Sequence, residues 1–273
     1  MRRIAVLSTN NNPDYFFYAP IVEWAWNRLG WDVAVFATAD VDEDELNLNT
    51  PSTIFKRIPD LPCPSSRELG SWRGTLAQTV RHFTANELPD GSYIMVQDID
   101  LIPLRAWEPD LEKKTIYGWE LTGHSFIPVH YTGMKKEHWM DIMGCSGDLA
   151  ADMDRAIREN GRAYGENWDV YWDTDWDILT QKVLPRKNEF TFIRRGMGNF
   201  AKDATPIGRV DRYDYEKTKN QPELIDLHAS NHNPSSDEKW EVIKEMITKC
   251  FGEMPGWMDA HREQHHKKYG QGR

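Results

Sequence analysis

The chain has 273 residues, enough for one large domain with a substantial core. It carries 43 acidic and 33 basic side chains, and the resulting formal net charge of −10 argues against non-specific binding to nucleic acid. The three cysteines are odd in number and widely spaced, which argues against a disulfide framework or a cysteine zinc site. No stretch approaches the roughly 18 apolar residues of a membrane span, so we expect a soluble, cytoplasmic protein.

Predicted strands and helices are interspersed along the first 96 residues of the chain, which indicates an α/β fold. Short apolar runs predict the strands, and apolar residues at helical spacing predict the helices. Gly30 ends the first helix, and Ser65 or Ser66 can cap the second. The predicted strands are residues 4–7, 32–36, 53–58 and 93–96, and the predicted helices are residues 18–29 and 65–83.

The segments that follow these strands carry the candidate nucleotide-binding residues. Thr9 and Asn10 come directly after the first strand, in a small polar loop that suits a nucleotide, although no glycine-rich phosphate loop is present. Asp40 follows the second strand, where an acid can meet a base or ribose. Arg67 and Arg73, just ahead of the fourth strand, can face a pyrophosphate or belong to the ordinary charged surface.

The fourth strand leads into two carboxylates, Asp98 and Asp100, separated by one residue. Ligands of open α/β sheets bind beyond the carboxyl ends of the strands, and two acids there form an oxygen site suited to Mg²⁺ or Mn²⁺. Pro103 is expected to stop further strand pairing. The alternative is that both aspartates only cap a turn, since the same spacing recurs in this acidic chain. It recurs at Asp40/Asp42, Asp42/Asp44, Asp152/Asp154, Asp173/Asp175 and Asp175/Asp177.

The second half of the chain carries further acids beside tryptophans, which number 12 in the whole chain. Trp119, Glu120 and Trp172 are candidates to face sugars, because sugar rings stack on aromatic faces; core packing is the alternative. Asp173 and Asp175 precede a predicted helix over residues 177–183, where they can serve as a general base or cap the helix. We favour Asp175 as the base.

Several elements of the second half can also be predicted from patterning. A charged helix over residues 149–160, a strand over residues 224–227 and an amphipathic helix over residues 237–251 follow from the spacing of apolar residues. His228 comes directly after the strand, in a position to bind a metal ion. The tail from His261 is polar and is expected to be loose.

The order of the predicted elements resembles the GT-A fold of glycosyltransferases that use nucleotide sugars. A strand, a polar loop, a helix and a second strand are followed by a mid-chain apolar strand with Asp98 and Asp100. The resemblance covers about two thirds of the chain. Its other markers are the segments 129–134 and 172–177, the helix with Trp139, and His228. It implies an open, mixed and mostly parallel sheet, Rossmann-related and flanked by helices. We expect a single domain over residues 1–273, with a nucleotide-binding half (1–104), an acceptor and sugar half (105–235), and a C-terminal helix and tail (236–273).

The resemblance also implies a metal-dependent sugar transfer. Asp98 and Asp100 would hold Mn²⁺ or Mg²⁺ on the diphosphate of a UDP- or GDP-sugar, Asp98 would also touch the donor, and His228 would complete the metal shell. Asp173 or Asp175 would meet the acceptor, which is a glycan or another hydroxyl compound. No residue string identifies the donor sugar or the stereochemistry.

Three other functions are compatible with parts of this pattern. A phosphatase similar to haloacid dehalogenases also uses two spaced aspartates, but these normally end the first strand. A nucleotidyltransferase shares the fold and the metal, but the first loop has no glycines or lysines for a triphosphate. A non-catalytic carbohydrate-binding protein would use the tryptophans and would need no metal.

Overall fold

A computed structural model describes the chain over residues 1–48, 50–63, 69–105, 108–117, 127, 129–160, 174–193, 208–210, 215–220, 224–229, 234 and 236–270. Within these residues, ten strands form two sheets. The strands are β1 (Arg2–Thr9), β2 (Asp32–Ala37), β3 (Ile54–Arg57), β4 (Ser92–Val96), β5 (Leu101–Pro103), β6 (Lys114–Tyr117), β7 (Thr132–Lys135), β8 (Phe190–Ile193), β9 (Arg209–Val210) and β10 (Asp226–His228).

Seven of these strands form the main sheet, in the order β3-β2-β1-β4-β7-β6-β8. The first four are parallel to one another, β7 is antiparallel to both β4 and β6, and β8 is parallel to β6. The sheet is therefore mixed and mostly parallel, which confirms the predicted fold class. Because β1 and β4 are neighbouring parallel strands, the loops after Thr9 and Val96 leave the same edge of the sheet.

Helices cover both faces of the main sheet. In β1, Ala5 and Leu7 pack in one core while Ile4 and Val6 pack in the other, as the alternation of a strand buried on both sides requires. The helices are α1 (Pro13–Phe16), α2 (Ala19–Arg28), α3 (Glu43–Leu46), α4 (Leu69–Val80), α5 (Lys136–Met143), α6 (Leu149–Asn160), α7 (Thr174–Val183), α8 (Tyr215–Thr218), α9 (Asp237–Phe251) and α10 (Trp257–Tyr269). On the first face the core includes residues of α2, α9 and α10, and on the second face it includes residues of α4 to α7.

The small sheet, in the order β5-β10-β9, lies directly after the two candidate metal aspartates. β10 is antiparallel to β5 and parallel to β9, with His228 opposite Leu101 and Asp226 opposite Pro103. The prediction that Pro103 stops strand pairing was therefore wrong. β5 is an edge strand of this sheet, and an edge strand tolerates a residue that lacks an N–H donor.

The C-terminal tail differs from its prediction as well. Residues from His261 onward were expected to be loose, but they continue the helix α10, in which His261 and His265 are buried. The Nε2 atom of His261 lies 2.9 Å from the carbonyl oxygen of Phe17, and that of His265 lies 2.9 Å from the carbonyl oxygen of Pro13. α10 therefore packs on the segment that follows the β1 loop. None of the helices in the described part of the chain is long and apolar enough to span a membrane.

Candidate functional site

Asp98 and Asp100 lie at the carboxyl end of β4, where the chain turns from the main sheet into the small one. The backbone N–H of Leu101 donates to the carbonyl oxygen of Asp98 at 3.2 Å, which closes a tight turn around both aspartates. The Asp98 side chain is about one-third exposed (30%), whereas Asp100 is buried. The turn thus presents one carboxylate to solvent and turns the other inward.

The small sheet brings His228 to Asp100. The backbone N–H of Ala229 donates to the carbonyl oxygen of Asp100 at 2.8 Å, which continues the pairing of β5 with β10. The Nε2 atom of His228 consequently lies 3.3 Å from Oδ2 of Asp100. Tyr18 supports the same loop, because its hydroxyl donates to the carbonyl oxygen of Ala229 at 3.0 Å. His228, a predicted metal ligand, therefore faces Asp100 because β10 pairs with β5, although the two strands are far apart in sequence.

The donor set of this pair suits a divalent cation. Two ligands that each lie about 2.1 Å from a metal ion are separated by about 3 Å when they occupy neighbouring positions, so Asp100 and His228 can contact one ion. Carboxylates suit Mg²⁺ and Mn²⁺, and imidazole is a common ligand of transition metals. As the side chains stand, no group of three or more His, Cys, Asp or Glu residues in the described ranges is arranged to hold an ion. Further ligands would have to come from a movement of Asp98, from water or from a bound diphosphate.

Arg81 joins Asp98 to the beginning of α7. It directly follows α4, its side chain is 6% exposed, and its guanidinium donates to Oδ1 of Asp98, to Oδ2 of Asp175 at 2.5 Å and to the carbonyl oxygen of Gln97 at 3.1 Å. This residue is not among those predicted from the sequence. Its only signal is its place beside Val80, an apolar residue of the predicted helix over residues 65–83.

Asp175 is the second residue of α7, and its side chain is 1% exposed. Oδ2 accepts from Arg81, and Oδ1 accepts from the backbone N–H of Trp176 at 2.9 Å. Burial raises the pKa of Asp175 to about 6, although the ion pair with Arg81 opposes the shift. This pKa is close to neutrality, as a general base requires.

His130 is a further residue near Asp98 that was not predicted from the sequence. Its Nδ1 atom lies 3.9 Å from Oδ2 of Asp98, and its Nε2 atom is buried without a hydrogen-bond partner among the described residues. Burial lowers the pKa of His130 well below its ordinary value, and the nearby guanidinium groups of Arg209 and Arg81 lower it further. Nothing in the local sequence pattern distinguishes this histidine from a core residue.

The predicted nucleotide-binding residues gather at the ends of β1 and β2. The backbone N–H of Thr38 donates to the carbonyl oxygen of Thr9 at 3.1 Å, and the side chain of Asn10 accepts from the backbone N–H of Asn12 at 3.3 Å. Arg73, on α4, donates to Asp40 at 2.9 Å. Arg73 therefore pairs with a neighbouring acid in the structure, and the prediction that it contacts a pyrophosphate stays a prediction.

α4 connects this group of residues to the aspartates after β4. Arg73 and Arg81 are eight positions apart, which corresponds to about 12 Å along a helix. The remaining predicted site residues lie outside the described residues. These are Arg67, Trp119, Glu120, Trp172 and Asp173.

The fold of the chain has counterparts among solved structures. The chain is similar to an active-site mutant of LgtC, with 15% sequence identity, a TM-score of 0.54 and coverage of 95% of this chain and 99% of that one. The chain has the GT-A fold.

Two other structures with the GT-A fold give the same result. One is the galactosyltransferase LgtC in complex with donor and acceptor sugar analogues, at 14% identity, a TM-score of 0.51 and coverage of 95% of this chain and 99% of that one. The other is the glycosyltransferase GlyE of Streptococcus pneumoniae TIGR4, at 11% identity and a TM-score of 0.52, with coverage of 98% of this chain and 64% of that one. No family model matches the chain, and no curated protein does so either. At such low identities the likeness establishes the fold alone.

Proposed function

We propose that this protein is a metal-dependent glycosyltransferase that moves a sugar from a nucleoside-diphosphate sugar to an acceptor hydroxyl. The observation that carries the proposal is the approach of His228 to Asp100, at 3.3 Å, beside Asp98 at the carboxyl end of the central strand. The GT-A fold supports it, as does the complex of LgtC with donor and acceptor sugar analogues.

The charges of the site favour a divalent cation. Asp98, Asp100 and Asp175 supply three carboxylates, and Arg81 supplies the guanidinium that bridges two of them. The excess of negative charge would repel a diphosphate, and a divalent cation would remove that repulsion. Asp100 and His228, with Asp98, would hold Mn²⁺ or Mg²⁺. When bound, the cation would stabilise the negative charge that develops on the departing diphosphate.

The chain's own residues have separate tasks in this proposal. Thr9, Asn10 and Asp40 would frame the base and ribose of a UDP- or GDP-sugar at the ends of β1 and β2. Arg81 would bind one oxygen of the Asp98 carboxylate and leave the other available to the cation. The predicted roles of Trp119, Glu120 and Trp172 toward the sugars are retained as part of the proposal.

The acceptor hydroxyl must lose a proton when the new glycosidic bond forms. Asp175, with its raised pKa, is the candidate that the structure describes, and Asp173 is the other candidate. Both oxygens of Asp175 accept hydrogen bonds, from Arg81 and from the backbone of Trp176. Each oxygen keeps a further lone pair, so Asp175 could still accept the proton of an acceptor hydroxyl that reaches it.

A cytoplasmic location also belongs to the proposal. It is compatible with the three cysteines, all of which are described and form no disulfide.

The test is a turnover assay with a panel of UDP- and GDP-sugars and simple glycan acceptors, with Mn²⁺, with Mg²⁺ and with EDTA. We expect release of the nucleoside diphosphate from at least one donor with a divalent cation, and its loss with EDTA and in Asp100→Asn. Asp110→Asn, at an exposed turn, is the matched control and should retain activity. Phosphate release from a phosphomonoester alone would favour a phosphatase, and sugar binding indifferent to EDTA would favour a carbohydrate-binding protein.

A further inference from the structure

The residue that follows His228, Ala229, is bound through both of its backbone polar groups. Its N–H donates to the carbonyl oxygen of Asp100 at 2.8 Å. Its carbonyl oxygen accepts from the hydroxyl of Tyr18 at 3.0 Å, and the hydroxyl of Tyr215 lies 3.5 Å from the same oxygen. Since β10 ends at His228, these bonds restrain the chain directly beyond the end of the strand. The backbone that carries the His228 side chain is therefore held by α2 as well as by the small sheet.

Tyr18 is suited to this task because its own neighbours hold it in place. It directly precedes α2, and its carbonyl oxygen accepts from the backbone N–H of Val22 at 2.9 Å. Its fully buried ring packs edge-on against the ring of Phe17, with the centroids 5.1 Å apart. Phe17 in turn stacks on His261 of α10 at 4.9 Å. A phenol keeps its proton at neutral pH, so the Tyr18 hydroxyl is available as a donor.

The bond from Tyr18 is difficult to replace. Ala229 is fully buried, so solvent does not reach its carbonyl oxygen, and the Tyr215 hydroxyl is farther from that oxygen than the Tyr18 hydroxyl is. A buried carbonyl that loses its donor is costly, and the backbone around it is then free to shift. Such a shift would move His228, whose Nε2 atom lies 3.3 Å from Oδ2 of Asp100. Groups that orient metal ligands in this indirect way affect metal affinity nearly as strongly as the ligands do.

We propose that Tyr18 is a positioning residue for His228. Its hydroxyl holds the Ala229 carbonyl and thereby keeps the His228 imidazole where it can share a cation with Asp100. Tyr18 itself contacts neither the cation nor the substrate in this proposal. The inference rests on the proposed function, which assigns His228 to a divalent cation, and extends it from the ligand to the residue that places the ligand.

The test compares two substitutions that each remove one buried phenolic hydroxyl. Tyr18→Phe keeps the ring and removes the donor to Ala229. Tyr93→Phe is the matched control, because Tyr93 is also fully buried but lies on β4 five residues before Asp98, about 16 Å along an extended strand. Calorimetry measures the affinity for UDP or GDP, whichever the unaltered protein binds more tightly, without a cation, with Mn²⁺ and with Mg²⁺. Thermal melting verifies that the variants fold.

The factor by which each cation tightens nucleotide binding is the quantity of interest. We expect Tyr18→Phe to lower the factor for Mn²⁺ by about threefold to tenfold, in line with the loss of one hydrogen bond. The factor for Mg²⁺ should stay within about twofold, because imidazole suits transition metals whereas Mg²⁺ prefers oxygen ligands. Nucleotide affinity without a cation should also stay within about twofold. Tyr93→Phe should leave all three quantities unchanged.

Two further measurements support this comparison. Pulsed electron paramagnetic resonance of bound Mn²⁺ detects a coordinated imidazole nitrogen. We expect the nitrogen coupling in the unaltered protein, no coupling in His228→Gln and a weakened one in Tyr18→Phe. If Tyr18→Phe does not fold, Tyr215→Phe carries the test. It should lower the factor for Mn²⁺ by about twofold and leave that for Mg²⁺ unchanged, and no loss in this variant would overturn the inference.

The contrary results can be told apart. If neither cation tightens nucleotide binding to the unaltered protein, the proposed function and this inference both fail. If Mn²⁺ does so equally well in Tyr18→Phe and in the unaltered protein, or if the nitrogen coupling is unchanged, only the role of Tyr18 is overturned. Equal losses with Mn²⁺ and Mg²⁺, or a similar loss in Tyr93→Phe, would show that the hydroxyl only supports the fold, which would also overturn the inference.

Discussion

Arg81 and Asp175 lie 94 positions apart in sequence, yet the guanidinium of Arg81 donates to Oδ2 of Asp175 at 2.5 Å in the interior of the protein. The pair ties the end of α4 to the beginning of α7. Because the same guanidinium also donates to Asp98, its position links the folding of two helices to the geometry of the candidate metal site.

Removal of the Arg81 charge should destabilise the protein strongly. Arg81→Met leaves the buried carboxylate of Asp175 without its partner, and loss of one member of a buried ion pair costs about 3–5 kcal/mol. The measurement is the free energy of unfolding in urea. Arg73→Met, which breaks the more exposed pair with Asp40, should cost about 1 kcal/mol or less. Failure of Arg81→Met/Asp175→Asn to recover stability relative to Arg81→Met would contradict the role of this ion pair.

The raised pKa of Asp175 predicts an acid limb in the pH profile of sugar transfer. A carboxylate acts as a base only when ionised, so kcat/KM should rise with pH through about 6 and then level off. Asp175→Asn should lower kcat by about 10²-fold or more and remove this limb. The profile is measured between pH 5 and 8 with the best donor from the panel. An unchanged limb in Asp175→Asn would show that another group titrates, with Asp173 the next candidate.

Asp152 predicts a different pH dependence, that of stability. Burial alone would raise the pKa of its carboxyl, but hydrogen bonds from the side chain of Asn86 (2.8 Å) and the backbone of Ser146 (2.7 Å) outweigh it, so the pKa is lowered. A lowered pKa in the folded state stabilises the protein at pH values above the unfolded pKa of about 3.9, and this stabilisation disappears as the pH falls through the folded pKa.

Asp152→Asn should therefore cost about 1–3 kcal/mol at pH 7, and the difference from the unaltered protein should shrink as the pH falls below 3.9. Urea unfolding at a series of pH values measures this. Asp154→Asn, on the same helix with a partly exposed side chain, is the control and should cost less than about 0.5 kcal/mol. A cost of Asp152→Asn that is independent of pH would contradict the assignment.

The C-terminal helix α10 should support the β1 loop. His265→Leu removes the hydrogen-bond partner of the carbonyl oxygen of Pro13, which should cost about 1–3 kcal/mol. Since Pro13 lies three residues beyond Asn10, nucleotide affinity should fall as well. Urea unfolding and calorimetry measure the two effects, with the exposed His266→Leu as the control. If the His265→Leu and unaltered proteins bind the nucleotide with equal affinity, α10 does not support nucleotide binding.

Local patterns were sufficient for the four parallel strands at one side of the main sheet and for part of the site. The apolar run before Asp98 predicted where β4 ends, and the neighbouring parallel strand β1 ends at the same edge of the main sheet. The short run before His228 predicted a strand, but only its antiparallel pairing with β5 in the small sheet brings His228 to Asp100. Arg81 could not be selected in the same way. Three arginines occur between residues 67 and 81, and which of them turns inward depends on where α4 ends and on what packs against it.

The other differences also have tertiary causes. The position of His130 depends on the left-handed backbone of Tyr131. Glycine is the residue that favours this conformation, so a tyrosine gives no sign of it in the sequence. The sequence of α10 is polar, and the helix forms because its two buried histidines bind backbone carbonyls of a distant segment. Pro103 lies in a strand because that strand is an edge, which only the complete topology determines.

The most direct test of the account is calorimetric titration of the protein with UDP and with GDP, with and without Mn²⁺. We expect one nucleotide to bind at least about tenfold more tightly with Mn²⁺, and we expect Asp100→Asn and His228→Gln to abolish this gain while His266→Gln preserves it. Nucleotide binding unaffected by Mn²⁺ in the unaltered protein, or a gain that survives in both Asp100→Asn and His228→Gln, would contradict it.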